Sequence, residues 1–207
     1  MSSQPKYAYH RPHPWHGLTP GKDLPGHICV FVEMTPLDDV KYELDKQTGF
    51  LCIDRPQRTT SNLPYVYGFM PQTYCAENVA RLSPLSKHGD HDPLDVCVIS
   101  ERPINRSEIV LNAKVVGGLQ MVDGGEADDK IIAILEGDHT IGDIEDLAEL
   151  PSIIAERLQH YFSTYKIAPG VEHEVAGLET YGRDHAFEVI NAAMDDYKRH
   201  FGAHAVL

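Results

Sequence analysis

Between residues 28 and 136 the sequence is a succession of short runs rich in β-branched and aromatic residues, separated by turn-forming residues. Such runs with turns between them are typical of β-strands. They read ICVFVEMT, VKYEL, FLCID, DVCVIS, IVLNAKVVGGLQMV and DKIIAILE. A series of this kind predicts a small barrel or a strongly twisted sheet. The turn DKQTG predicts that the second and third runs form a hairpin.

The pattern becomes helical after Asp138. Behind Pro151, apolar residues recur at helical spacing at positions 154, 158, 162 and 165, and proline is favoured in the first turn of a helix. A second apolar stripe predicts a last helix from about Asp184 to Phe201. Strands followed by helices predict an α+β fold, in which helices pack on the outside of the barrel.

The charge balance limits the possible partners. Lys and Arg total 18 and Asp and Glu total 31, so the formal net charge is −13. Nucleic acid is not expected as a partner, because its binding depends on cations that neutralise phosphates. The sequence shows neither a membrane-spanning apolar run nor a signal peptide, so we expect a cytoplasmic protein. Its 207 residues fit a single domain.

The four cysteines stand far apart without a CxxC pair, which predicts free thiols rather than a disulfide framework. Cys29, Cys52 and Cys97 lie in apolar, strand-like runs, so we expect buried thiols at these positions. Free thiols also favour a reducing compartment such as the cytoplasm.

Residues 1–25 contain five of the fourteen prolines and should wrap over the surface as a proline- and histidine-rich arm. His10, His13 and His16 recur at every third position. Metal binding by these three residues is one alternative. The intervening prolines exclude a helix that would align them, so a solvated arm is favoured.

Three aspartates crowd into the stretch KHGDHDPLDVCVIS, where Asp90, Asp92 and Asp95 precede an apolar run. An extended backbone would point Asp90 and Asp92 the same way, and Pro93 helps the chain to turn so that Asp95 rejoins them. Carboxylates this close repel one another unless protons or cations neutralise them. Their hard oxygen ligands favour Mg²⁺, Mn²⁺ or Ca²⁺ over Zn²⁺.

Other interpretations of this cluster fit less well. A charge run is usually a solvated turn, but the apolar residues that follow Asp95 require burial. A calcium EF-hand loop would need a glycine where Asp95 stands. A DxDx(T/V) nucleophile motif needs a hydrophobic strand before it, and PLSKHG is not one.

A second acidic group lies in VDGGEADDK, which contains Asp123, Asp128 and Lys130. Two glycines would let this loop bend tightly, and a polar hairpin tip is its simplest interpretation. Together with the first cluster, it predicts a pocket in which carboxylates from two loops hold several metal ions. Two-metal hydrolases use this arrangement on phosphoryl groups.

With these residues the sequence resembles the soluble family I inorganic pyrophosphatases. DHDPLDV is similar to the DxDPxD signature of that family, and further matches follow in the family's order: GKDLP, VKYELDK, IDRP, YGFMPQT, VDGGEADDK and HYFSTYK. The resemblance extends from about Lys22 to the C-terminal helix. The HPWHG motif and the long loop before the signature are most similar to the chlamydial-type branch.

The resemblance implies a five-stranded, OB-like barrel with flanking helices, and hydrolysis of pyrophosphate to two phosphates by a water that bridges metal ions. Several Mg²⁺ ions would serve each site, with Mn²⁺ or other divalent ions as substitutes. Bacterial members are usually homo-oligomers, commonly hexamers, which implies the same here.

The resemblance also implies roles for individual residues. Metal ions would be held by Asp90, Asp95, Asp123 and Asp128, with Glu33 nearby. Asp92 would orient or deprotonate the attacking water, and Arg55 and Tyr67 would assist catalysis. The phosphates would be contacted by Lys41, Arg55, Tyr67, Lys130, Tyr165 and Lys166, with Glu43 behind them.

Several of these residues also have simpler interpretations. Lys41 and Glu43 could form the solvent-exposed face of a strand, and Arg55 could pair locally with Asp54. Tyr67 and Tyr165 could be core residues. A non-enzymatic divalent-cation-binding module is the alternative function. Such a module, however, has no use for cations around its carboxylates.

Three features depart from the family pattern. His91 stands inside the signature where a small or acidic residue, often glycine, is commoner. Leu63 stands where many bacterial members have a tyrosine near the site. The stretch from Cys75 to Gly89 is longer than in the compact bacterial enzymes. It covers either the site or an oligomer interface.

Overall fold

The structure is a computed structural model that describes residues 11–167 and 175–202. Its strands, in chain order, are β1 (His27–Met34), β2 (Val40–Leu44), β3 (Leu51–Pro56), β4 (Val66–Phe69), β5 (His88–Gly89), β6 (Asp95–Ile99), β7 (Val110–Asp123), β8 (Glu126–Ala127), β9 (Lys130–Leu135) and β10 (Val175–Gly182). Its helices are α1 (Glu77–Leu82), α2 (Ser152–Thr164) and α3 (Arg183–Phe201), with a 3-10 turn at Leu147–Glu149. Within the described ranges, no helix is long and apolar enough to cross a membrane.

Five strands close into a hydrogen-bonded ring in the order β1–β4–β6–β9–β7, which β1 completes by pairing with β7. Neighbours in the ring are antiparallel except β6 and β9, which run parallel. The β2–β3 hairpin forms a separate two-stranded sheet, as the turn predicted. The predicted α+β fold built on five strands is confirmed.

Strand β4 has no clear signal in the sequence pattern, because it is short and contains a glycine. A Cβ at Gly68 would stand 1.9 Å from the carbonyl oxygen of Phe31 on β1. Only glycine allows the two backbones to approach this closely. The short strands β5 and β8, and the glycine-containing β10, were likewise not predicted from the sequence.

Two helices pack against the ring strands. Helix α3 packs against β7 and buries Val189 and Ile190 in the apolar cluster that the ring strands share. Helix α2 buries Leu158 and Phe162 in a second cluster with β7 and β9 residues. The end of α2 therefore lies against the ring.

The N-terminal segment is more buried than a solvated arm would be. Trp15 is 3% exposed and packs in a cluster with Phe31, Leu44, Phe69 and Tyr197. The expectation of a solvated arm therefore does not hold at Trp15, because its large ring gains most from burial. The first ten residues, including His10, lie outside the described residues.

All four cysteines are free, and Cys29, Cys75 and Cys97 are buried. The expectation of a buried thiol is wrong for Cys52, which is exposed. Cys52 belongs to the β2–β3 hairpin, whose strands form a sheet of their own, and most of β3 is open to solvent.

A buried carboxylate from α3 caps helix α1. Asp196 is fully buried and accepts hydrogen bonds from the backbone N–H groups of Ala76, Asn78 and Val79, at 3.1, 2.9 and 3.3 Å. Helix α1 has no side-chain cap of its own, and the first N–H groups of a helix need an acceptor. Asp196 thus ties the long loop before the signature to α3.

Replacement of Asp196 by alanine should leave these N–H groups without their acceptor. An unsatisfied buried donor costs about 1–3 kcal/mol, so we expect the free energy of unfolding to fall by about 2 kcal/mol or more in urea denaturation. Asp195→Ala is the matched control, since the Asp195 side chain is 61% exposed and should change stability by less than about 0.5 kcal/mol. Equal losses in the two variants would contradict the capping role.

His16 should make the stability depend on pH. Burial lowers the pKa of His16 below its ordinary 6.5, and the neighbouring His13 lowers it further; its Nδ1 lies 2.6 Å from the Tyr197 hydroxyl. The unfolded chain therefore takes up this proton first, and stability present above about pH 6.5 is lost as the pH falls below it. We expect His16→Gln to reduce the drop in melting temperature between about pH 7 and pH 5. An unchanged slope would show that His16 does not contribute.

Candidate active site

One cavity of about 200 Å³ brings the two acidic loops together. Every site residue named from the sequence lines it: Glu33, Lys41, Glu43, Arg55, Tyr67, Asp90, Asp92, Asp95, Asp123, Asp128, Lys130, Tyr165 and Lys166. The cavity also includes residues that sequence reasoning missed, namely Lys46, Gln57, Glu126, Tyr161 and Phe162.

Strand register explains why distant residues meet here. Asp95 opens β6 and pairs with Lys130, which opens β9, because these strands run parallel. On the other side of β6, the antiparallel strand β4 carries Tyr67, whose hydroxyl donates a hydrogen bond to the Asp95 carboxylate. Asp128 lies just before β9 and so reaches the same point.

Lys130 is the buried centre of the site. Its side chain is 2% exposed, and its Nζ lies 2.5 Å from Oδ2 of Asp95 and also donates to Asp128. Burial alone would lower the pKa of Lys130, but the two carboxylates outweigh it and raise that pKa well above its ordinary value. Lys130 therefore keeps its charge while buried.

The carboxylates around Lys130 differ in their affinity for protons. Burial, followed by repulsion from Asp128, raises the pKa of Asp90, and burial also raises the pKa of Asp95. Burial acts in the same direction on Asp128, but Lys130 holds the pKa of Asp128 below its ordinary value. The single positive charge of Lys130 therefore does not neutralise the three carboxylates. The three carboxylates favour the binding of further cations or protons.

Glu33 adds a buried acid to the partly buried aspartates of the cavity. It is 6% exposed, and its Oε1 accepts a hydrogen bond from the backbone N–H of Leu44 at 2.8 Å. Burial, with a further contribution from the Asp95 charge, raises the pKa of Glu33 to about 8. A cation nearby would reverse this effect and favour the charged form.

Lysines also pair with two further aspartates of the cavity. Lys46 contacts Asp92, and Lys166 contacts Asp123. Lys46 was missed from the sequence because it stands in the DKQTG turn, where a lysine usually points to solvent. Its pairing with Asp92 depends on where the hairpin lies relative to the signature loop.

The β2–β3 hairpin brings two more cations to the cavity. Lys41 lies 2.7 Å from Glu43 and 3.3 Å from Asp54, and Arg55 also contacts Asp54. The local Arg55–Asp54 pair suggested by the sequence is present, and Arg55 lines the cavity as well.

The two single positions that depart from the family pattern lie in different surroundings. Leu63 is 3% exposed and forms an apolar part of the cavity wall. His91 is exposed, and its Nδ1 lies 2.9 Å from the Tyr74 hydroxyl. His91 has a φ of 63°, in the left-handed region that glycine adopts most easily. Glycine would adopt this backbone conformation with less strain than histidine.

Divalent ions fit the site by the chemistry of its donors. Among the described residues, no group of three or more His, Cys, Asp or Glu side chains is already arranged to hold a metal ion. Lysine ammonium groups face the carboxylates instead, with Lys130 on Asp95 and Asp128. Carboxylate oxygens are nevertheless the ligands that Mg²⁺ prefers. The donor set of the cavity therefore suits divalent ions.

Comparison with known proteins decides the family. The profile of the inorganic pyrophosphatase family matches residues 30–198. The chain belongs to this family. The inorganic pyrophosphatase of Chlamydia caviae is 41% identical over 97% of each chain. That of Chlamydia trachomatis serovar L2 is 43% identical over 89% of this chain and 93% of the relative.

Solved structures agree with this assignment. The inorganic pyrophosphatase from Thermus thermophilus superposes with a TM-score of 0.74 at 28% identity, over 89% of this chain and 99% of that one. The type I enzyme from Toxoplasma gondii gives a TM-score of 0.76 at 27% identity, over 91% of this chain and 88% of that one. The predicted family, its chlamydial-type relatives and the enzyme class EC 3.6.1.1 are confirmed. Family I members use divalent metal ions.

Removal of Lys130 should show how strongly the site depends on a buried cation. Lys130→Met leaves buried carboxylates without their partner, a change that costs about 3–5 kcal/mol, measured by urea denaturation in EDTA. Millimolar Mg²⁺ should restore part of this stability, because it supplies the missing positive charge. Lys198→Met is the control, since Lys198 is 71% exposed and pairs with the 61% exposed Asp195, and its loss should cost about 1 kcal/mol or less. Equal losses, or no rescue by Mg²⁺, would contradict this reading of the site.

Proposed function

We propose that this site hydrolyses pyrophosphate with the help of several Mg²⁺ ions, and that Asp92 orients or deprotonates the attacking water. One observation carries this proposal: carboxylates from two loops share a cavity with five cationic side chains. These are Lys41, Lys46, Arg55, Lys130 and Lys166. A non-enzymatic cation-binding module would not need these five side chains. An anionic substrate that lies between metal ions and lysines would need them.

The proposed metal ligands are Asp90, Asp95, Asp123 and Asp128, with Glu33 nearby. Divalent ions, when bound, supply Lewis acidity and activate water as a nucleophile. We favour Mg²⁺ for this role, with Mn²⁺ or another divalent ion as a substitute, because all of these donors are carboxylate oxygens.

The remaining roles follow from the position of each side chain. Asp92 is 40% exposed at the cavity and contacts Lys46, so its carboxylate is accessible to a water whose proton it could accept. Burial raises the pKa of Tyr67 well above its ordinary value, so Tyr67 remains a hydrogen-bond donor. Lys41 and Arg55 would neutralise charge on the leaving phosphate without reorganisation, since they already line the cavity.

The last two phosphate contacts come from the end of α2. Tyr165 caps that helix, and the Lys166 Nζ lies 5.2 Å from the centre of the Tyr165 ring. Burial raises the pKa of the Tyr165 hydroxyl, which therefore stays protonated. Lys166 contacts Asp123, and in the proposed reaction it would turn to a phosphate. Glu43, which contacts Lys41, would support that lysine.

We further propose that residues 1–207 form one domain and that the enzyme works in the cytoplasm as a homo-oligomer. The family resemblance favours a hexamer. Light scattering of the purified chain coupled to gel filtration tests the oligomer, and a monomer at micromolar concentration would contradict it.

The activity is tested by phosphate release from pyrophosphate with millimolar Mg²⁺, beside parallel assays in EDTA and with ATP as substrate. We expect release from pyrophosphate that is abolished in EDTA and lowered about 10²- to 10⁴-fold in Asp92→Asn. Asp195→Asn, on the exposed side of α3, should retain wild-type activity. No release by a folded, Mg²⁺-binding wild type would replace this function with a non-enzymatic cation-binding module.

A further inference from the structure

The loop with Asp90, Asp92 and Asp95 is attached to the segment 70–75. The Met70 N–H donates to the Leu94 carbonyl at 2.9 Å, and the Cys75 N–H donates to the Asp92 carbonyl at 2.8 Å. Between these two backbone hydrogen bonds, one side chain of the segment 70–75 also bonds to the loop.

That side chain is Thr73. Its Oγ1 accepts a hydrogen bond from the Leu94 N–H at 2.9 Å and donates one to the Met70 carbonyl at 2.6 Å. Thr73 and Leu94 are both fully buried. Because the single hydroxyl proton is used by Met70, a lone pair is left to face Leu94. Leu94 precedes Asp95 directly, so Thr73 fixes the backbone from which Asp95 projects.

Thr73 is held in turn by the N-terminal segment. The Trp15 indole N–H donates to the Thr73 carbonyl at 2.8 Å, and the Gln72 N–H donates to the Trp15 carbonyl at 2.9 Å. The Gln72 side chain also donates to the Leu18 carbonyl at 2.9 Å.

The backbone at Gln72 is strained, and these contacts hold it in its strained conformation. Gln72 has a φ of 56°, and residues other than glycine persist in this region only where the surrounding structure holds them. The bonds from Trp15 lie on both sides of this residue. They therefore hold the peptide that orients Thr73 toward the loop.

We propose that Thr73 is a positioning residue for the reaction and that Trp15 holds Thr73 in place. The N-terminal segment around Trp15 then contributes to the geometry of the active site. The kinetic consequence of this role rests on the proposed function. Thr73 touches neither substrate nor metal, and acts through Leu94 on Asp92 and Asp95. Misplacement of reacting groups by about 1 Å can lower a rate about a hundredfold.

Variants of the full chain at Thr73 test the proposal. Thr73→Val replaces the hydroxyl by a methyl group of similar shape, and we expect kcat to fall about tenfold or more while the Mg²⁺ concentration for half-maximal activity rises. Thr73→Ser keeps the hydroxyl and should restore kcat to within about threefold. Thr35→Val is the matched control, because Thr35 is also buried but its hydroxyl donates to Asp38, at 2.9 Å. It should keep wild-type kcat and Mg²⁺ dependence.

Trp15→Phe provides a second test, because it removes the N–H and keeps a buried ring. We expect a smaller change in the same direction as for Thr73→Val. Calorimetric titration with Mg²⁺ alone adds a readout that does not depend on turnover, and both variants should bind Mg²⁺ more weakly than the wild type. If Thr73→Val does not fold, Trp15→Phe decides by the same criteria.

Wild-type kcat and Mg²⁺ affinity in a folded Thr73→Val would overturn the proposal. A lower melting temperature with both values unchanged would overturn it too, because Thr73 would then be structural only. If the wild type binds Mg²⁺ without releasing phosphate, the proposed function fails. The Mg²⁺ titrations of the variants would still decide the role of Thr73.

Discussion

The active site depends on a buried cation, Lys130, between two carboxylates. Lys130 and Asp95 open neighbouring parallel strands, and Asp128 lies two residues before Lys130. Without a cation at this point, the carboxylates would face one another with little water to separate their charges, which is unfavourable. This end of the five-strand ring therefore closes around charges, whereas the rest of the ring closes around apolar side chains.

The same interaction explains how an acidic chain can accept an anionic substrate. Lysines already pair with the carboxylates of the cavity, as in the contacts Lys46–Asp92 and Lys166–Asp123. In the proposed reaction, divalent ions would take the carboxylates and the freed lysines would turn to the phosphates. The net charge of −13 therefore does not exclude pyrophosphate, because the local balance in the cavity changes when metal ions bind.

Sequence reasoning predicted the aspartates and the family because their signals are local. Asp90, Asp92 and Asp95 stand within one short stretch, and their mutual repulsion requires protons or cations to neutralise them. Lys46 and Trp15 gave no such signal, since a lysine in a turn usually points to solvent and the prolines around Trp15 predicted a surface arm. Asp196 could not be found either, because it caps backbone groups that lie 120 residues away in the chain.

The sequence by itself determined where most strands and the main helices form, and which residues have the chemistry to bind metal ions and phosphates. These properties follow from the composition and spacing of neighbouring residues. The tertiary structure decided which of those residues meet. Parallel pairing of β6 and β9 joins Asp95 to Lys130, and burial of Trp15 brings the N-terminal segment against Thr73. Such contacts depend on strand register and packing between distant segments, which local sequence patterns do not encode.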